Sequence, residues 1–139
     1  MLHASCHCGA VTLILPRRPR VLTQCNCSIC RRLGALWAYY ARRSVGLEAA
    51  PGSYRGYRRR KEGTIDFCHC VTCGCVTHYE KAAKRADGRD VLAVNARNVL
   101  EVEAIASVPI KMLDGAGRWS VLFREAQPHL FRTPDRPER

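Results

Sequence analysis

The stretch CNCSIC brings three thiols, Cys25, Cys27 and Cys30, into six residues, with Arg31 and Arg32 directly behind them. The same CxCxxC spacing returns at Cys68, Cys70 and Cys73, and a shorter CxC stands at Cys6 and Cys8. Thiolates at these spacings ligate a soft-to-borderline ion, zinc in the first place and iron as the alternative in the same cage. In an extended strand residues i and i+2 share a side, so Cys6 and Cys8 are expected to offer two sulfurs while His7 faces away. CVTCG, residues 70–74, reads as a knuckle: a turn joins the Cys70 and Cys73 sulfurs, and Gly74 permits tight backbone passage. Together the two pairs predict a closed, structural site of four cysteines that ties the N-terminal hairpin to a distant segment. Ion binding at such a site becomes folding free energy.

Cys25, Cys27 and Cys30 are then left as three ligands for a second ion. Structural zinc is closed by four protein ligands, whereas catalytic zinc keeps three and leaves one position for water or substrate. The trio is therefore expected to be the catalytic centre. Three thiolates give such a site a formal charge of about −1, which suits activation of an incoming thiol better than activation of water. Two alternatives stay open. Cys68 or Cys75 could close the second site and make it structural, or the trio could be a redox centre, since CxxC is also a redox motif. Cys68, two residues before Cys70, is expected to crowd the first site rather than the second. His7 and His69 sit between paired cysteines and should face away from the ions. His78 is expected to be packed near the knuckle or to support a ligand.

Positioning these thiols falls to short β-type runs separated by turns: AVTLIL, ALWAYYA, SYRGYR, TIDFCHC, VTHYE and DVLAVNA. One short helix is expected over Asn98 to Ala106, with Asn98 capping and Glu101 completing a capping box. GAGRW, residues 115–119, reads as a turn without the context of a phosphate loop. The result is an all-β domain over residues 1–131, followed by a polar tail, 132–139, expected to fray. At 139 residues the chain suits one domain with a modest core. Its 47% hydrophobic and 25% charged residues are ordinary globular values.

Nine clustered cysteines, an odd number, do not fit a disulfide framework. No apolar run is long enough for a membrane span, and MLHASCHCGA lacks a signal-peptide pattern, so a cytoplasmic location is expected. The formal charge of +11 and pI near 9.6 raise nucleic-acid binding as a rival. Seven zinc-bound thiolates on two ions would lower that charge by about three. The arginine runs PRRPR, RRRK and RTPDRPER also read as solvated turns and a tail.

CHCGAV at 6–11, CNCSICRRLGA at 25–35 and CVTCGCVTH at 70–78 resemble the glutathione-dependent formaldehyde-activating enzyme family, to which centromere protein V is also similar. LAVNAR at 92–97 and VPIKMLDGAG at 108–117 resemble later segments of one bacterial branch. The resemblance implies a β-tent fold of three small antiparallel sheets around the metal sites. It implies a structural zinc on Cys6, Cys8, Cys70 and Cys73, and a catalytic zinc on Cys25, Cys27 and Cys30. It further implies a carbon-sulfur lyase that joins glutathione and formaldehyde reversibly as S-(hydroxymethyl)glutathione. Arg31 and Arg32, with the 58–61 run as a second candidate, would grip the carboxylates of the thiol. The rival is a non-catalytic zinc module that binds nucleic acid or protein through a basic face. Cys68 is not a recognised ligand position in the family, and Cys75 carries no assigned role.

Overall fold

The computed structural model describes residues 1–83, 85–87 and 89–131; the tail expected at 132–139 lies outside the described residues. Eleven strands form among the described residues: β1 (Leu2–Ser5), β2 (Val11–Leu15), β3 (Leu22–Cys25), β4 (Leu36–Ala41), β5 (Gly46–Ala49), β6 (Tyr54–Arg58), β7 (Ile65–Cys70), β8 (Val76–Lys81), β9 (Val91–Asn95), β10 (Pro109–Leu113) and β11 (Val121–Ala126). Two short helices accompany them, α1 (Ser28–Leu33) and α2 (Val102–Ile105). The all-β class therefore holds. The strands join into a three-stranded sheet, β1-β2-β5, and an eight-stranded one, β11-β10-β3-β4-β9-β8-β7-β6, rather than three separate small sheets. The long ladder is antiparallel except at β10–β3, where Leu113 lies beside Cys25. No described helix is long and apolar enough to cross a membrane.

Side-chain alternation along β4 explains how one sheet serves both packing and chemistry. Leu36, Ala38 and Tyr40 point into the main core with Leu92 and Val94 of β9 and Leu13 and Leu15 of β2. Trp37, between them, points the other way, into a second cluster with Phe67, Ala93 and the trio Cys25, Cys27 and Cys30. Each fully buried leucine of the main core contributes about 1.5–3 kcal/mol, which holds the central strands in place behind the trio. A third, smaller cluster gathers Cys6, Val11 and Cys70.

The helix expected over 98–106 is shorter and capped differently. A 3-10 turn occupies Ala96–Asn98, and α2 begins only at Val102, after Glu101. The Asn98 amide donates instead to the Val76 carbonyl at 2.9 Å. The Glu101 carboxylate accepts from the His3 backbone N–H at 2.8 Å and meets His3 Nδ1 at 2.8 Å. Tertiary partners on β1 and β8 thus outcompete the local capping box.

Candidate functional site

Cys6 and Cys8 lie in the tight turn between β1 and β2, not in an extended strand as expected. The turn closes because Gly9 adopts φ +81°, open to glycine at no steric cost, and its N–H donates to the Cys6 carbonyl at 2.9 Å. The far half repeats the device: Cys70 ends β7, Gly74 has φ +75°, and its N–H donates to the Cys70 carbonyl at 3.0 Å. The two knuckles bring the Cys6, Cys8, Cys70 and Cys73 sulfurs within 4.8 Å of one another. Cys6–Cys8 and Cys8–Cys70 sulfur separations are 3.7 and 3.6 Å. A tetrahedron with zinc–sulfur bonds of about 2.3 Å has edges of about 3.8 Å, whereas a disulfide needs about 2.05 Å. The spacing fits four ligands around one ion. Backbone N–H groups of Cys75 and Cys8 draw the Cys73 thiol down to about 5, the ionised form that zinc requires. Cys75 stands beside Cys73 but is not one of the four.

The trio is built on a different plan. Cys25 ends β3, Cys27 precedes the first turn of α1, and Cys30 lies within that turn, buried with the other two. Their sulfurs are within 4.8 Å of one another. The Cys27 N–H donates to Cys25 Sγ at 3.4 Å, and the Trp37 indole N–H donates to Cys30 Sγ at 3.3 Å. Burial raises the Cys30 thiol to about 12 against the pull of that indole, with the Cys27 and Cys25 sulfurs adding to the rise. Burial also opposes ionisation of Cys27, but the N–H of Cys30 and the neighbouring thiols outweigh it and its value falls. Thiols so close ionise together only when a cation lies among them. Both sulfur sets fit zinc by donor type and spacing.

Cys68 and Cys75 belong to neither set, so neither supplies a fourth sulfur to the trio. His78 is buried, edge-on to Tyr54, and burial with Arg42 nearby lowers its value to about 4.

A cavity of about 300 Å³ opens over the trio. Its walls are apolar and aromatic, from Ile29, Trp37, Ile65, Phe67, Leu113 and Trp119. The four-cysteine set does not line it. Tyr39 and Tyr79 also face it, their rings edge-on with centroids 6.2 Å apart; desolvation raises both phenols, although Tyr39 keeps one side exposed. Arg59 and Arg60, on the β6–β7 connection, reach the cavity, whereas Arg31 and Arg32 do not line it. Arg32 turns back to donate to the Ser28 carbonyl at 2.8 Å.

The 115–119 turn, unremarkable in the sequence, is part of this site. The Asn26 amide donates to Asp114 Oδ1 at 2.9 Å, and its oxygen accepts from the Ala116 N–H at 2.9 Å. The clamp presses Gly115 onto the trio: a Cβ there would stand 2.4 Å from Cys25 Sγ and 3.1 Å from Cys27 Cβ. No side chain fits. Gly115→Ala is expected to displace the Cys25 sulfur, so that zinc content falls by one ion while far-UV circular dichroism is unchanged. Full zinc content in this variant would show that the turn does not constrain the trio.

Comparison with solved structures finds a crystal structure of a Rhodobacter sphaeroides protein, with TM-score 0.60 and 27% identity, covering 78% of this chain and 98% of that one. A search of curated proteins gives no match. The sequence model for the glutathione-dependent formaldehyde-activating enzyme matches residues 1–106, a span that holds both knuckles, the trio and the strands behind them. With that span covering more than half of its length, the chain belongs to the glutathione-dependent formaldehyde-activating enzyme family.

Proposed function

We propose that the protein is a carbon-sulfur lyase that adds glutathione, or a similar small acidic thiol, to formaldehyde or a related small aldehyde, and catalyses the reverse cleavage. What supports this is a single contrast: the three-sulfur set floors an apolar cavity, while the four-sulfur set does not line it. Zinc on Cys25, Cys27 and Cys30 would acidify an incoming thiol and hold its sulfur for attack on a carbonyl carbon.

The chain's own residues supply the rest. Ile65, Phe67 and Leu113 keep water from the reacting atoms, which strengthens every polar contact made there. As the carbon-sulfur bond forms, the carbonyl π pair moves onto oxygen. Tyr79, held protonated by burial, and the more exposed Tyr39 can bond that oxygen, and either phenol can hand it a proton, later regained from solvent. In the reverse direction a phenol that has first released its proton to solvent takes the adduct's hydroxyl proton as the carbon-sulfur bond breaks. Trp37, through its bond to Cys30, ties the sulfur carried by α1 to β4.

Arg59 and Arg60 at the cavity are placed to grip the carboxylates of glutathione. Charge-assisted hydrogen bonds contribute about 1.5–3 kcal/mol each, so the Arg59→Glu/Arg60→Glu double variant is expected to raise KM for glutathione about tenfold or more, with kcat retained. The Arg31→Glu/Arg32→Glu variant is expected to shift KM less. The reverse order would return the carboxylate role to Arg31 and Arg32. The reaction itself is tested by proton exchange spectroscopy of an equilibrium mixture of glutathione, formaldehyde and adduct. Catalysed interconversion above the spontaneous rate is expected; none with any small aldehyde would refute the proposal.

A further inference from the structure

Cys68, absent from both sulfur sets, has partners of its own on the opposite face of the sheet from the cavity. In the β7–β8 pairing Cys68 lies directly across from His78, and Glu80 follows two residues along β8, on the same face. One ligand atom from each of Cys68, His78 and Glu80 falls within 4.8 Å of the others. We propose that these three side chains form a third cation site, for a divalent ion of the zinc class.

Thiol, imidazole and carboxylate are the three protein ligand types that zinc takes. The histidine is what ordinary packing leaves unexplained. His78 is 0% exposed, its Nδ1 is engaged by the Thr77 hydroxyl at 2.9 Å, and its Nε2 has no partner. Buried ring nitrogens are normally satisfied, and this orphan belongs to the ring that shares the cluster with a thiol and a carboxylate, where an electrophile would satisfy it. Metal-bound histidines characteristically have their second nitrogen fixed by such a hydrogen bond, as Thr77 does here. The Cys68 thiol is similarly underused, with one long contact to the Asp66 carbonyl at 3.7 Å.

Charge is compatible with an ion. The Cys68 thiolate and the Glu80 carboxylate neutralise two positive charges, and the thiol proton leaves to solvent as the ion binds. Arg42 approaches one Glu80 oxygen, Oε2, at 3.4 Å, and its Nε makes no well-directed hydrogen bond. It can therefore remain paired with one oxygen while the other turns to the ion. The site draws nothing from the lyase reaction and stands or falls apart from it.

Cobalt(II) titration of the full chain tests this. Saturation at three equivalents is expected, against two if only the cysteine sets bind. Neither cysteine set contains histidine, so a paramagnetically shifted imidazole N–H resonance would report this site alone. Cys68→Ser and Glu80→Gln should each return saturation to two equivalents, abolish the shifted resonance, and leave the thiolate-to-cobalt bands of the other sites in place. Glu80 is only part-buried, so the second variant tests the site with little risk to folding. Saturation of the wild-type chain at two equivalents, or a third equivalent that persists in both variants, would overturn the proposal.

Discussion

Replacing Cys70 with serine is expected to unfold the domain rather than merely to silence it. Cys70 is fully buried at the end of β7, and its sulfur stands 3.6 Å from that of Cys8, so the site joins the β1–β2 turn to the β7–β8 turn. Zinc on a closed thiolate set contributes about 10–16 kcal/mol of binding free energy, against a total stability of about 5–15 kcal/mol for a domain of this kind. Even a partial loss exceeds what the main core can offset. A strong chelator should act like the substitution, and far-UV circular dichroism should collapse as the closed site empties. A Cys70→Ser protein that keeps its fold and melting temperature would show that the core, not the ion, holds the two turns together.

The second large effect concerns the trio and has the opposite signature. Cys27→Ser should remove one ion, keep the fold, and abolish the thiol-aldehyde reaction. The trio sits at one end of β3 and in the first turn of α1; β3 is paired with β4 and anchored in the main core through Leu22, and α1 packs on the second cluster through Ile29 and Leu33. Changing a group merely hydrogen-bonded to a ligand costs about 10–100-fold in affinity or activity. Losing one of only three ligands should therefore cost more than about a hundredfold in kcat/KM. Metal analysis and the exchange assay, run on one preparation, separate this outcome from unfolding. A Cys27→Ser variant with wild-type turnover would move the reaction away from the trio.

What could be read from the residues follows how local each signal is. The cysteine groupings were legible because ligand spacing is set within a few residues by turn and strand geometry. That Cys6 and Cys8 sit on a turn was not, since the i, i+2 rule serves strands, while Gly9 at positive φ signals the knuckle. α1 was hidden because it is six residues long and starts at Cys27, which makes no side-chain cap. Asn26 and Gly115 could not be found from spacing, since they meet only through the parallel β10–β3 pairing. Their one signal was the pair of glycines in the 115–119 turn. Arg59 and Arg60 lay within the second candidate run, 58–61, and only the ranking misled: Arg31 and Arg32 are nearer to the trio along the chain, but the β6–β7 connection carries the other pair to the cavity. Cys68 shares a strand with Cys70, yet the neighbouring strand, β8, decides its partners.

The unequal sharing of sulfur between two sites is tested most directly by cobalt-substituted protein titrated with glutathione. The thiolate-to-cobalt bands of the trio should shift and intensify as an external sulfur enters, while those of the four-cysteine site stay constant, and Cys27→Ser should erase the response. Bands that remain unmoved at saturating glutathione in the wild-type protein would mean that the trio takes no outside sulfur, and the account of this centre would be wrong.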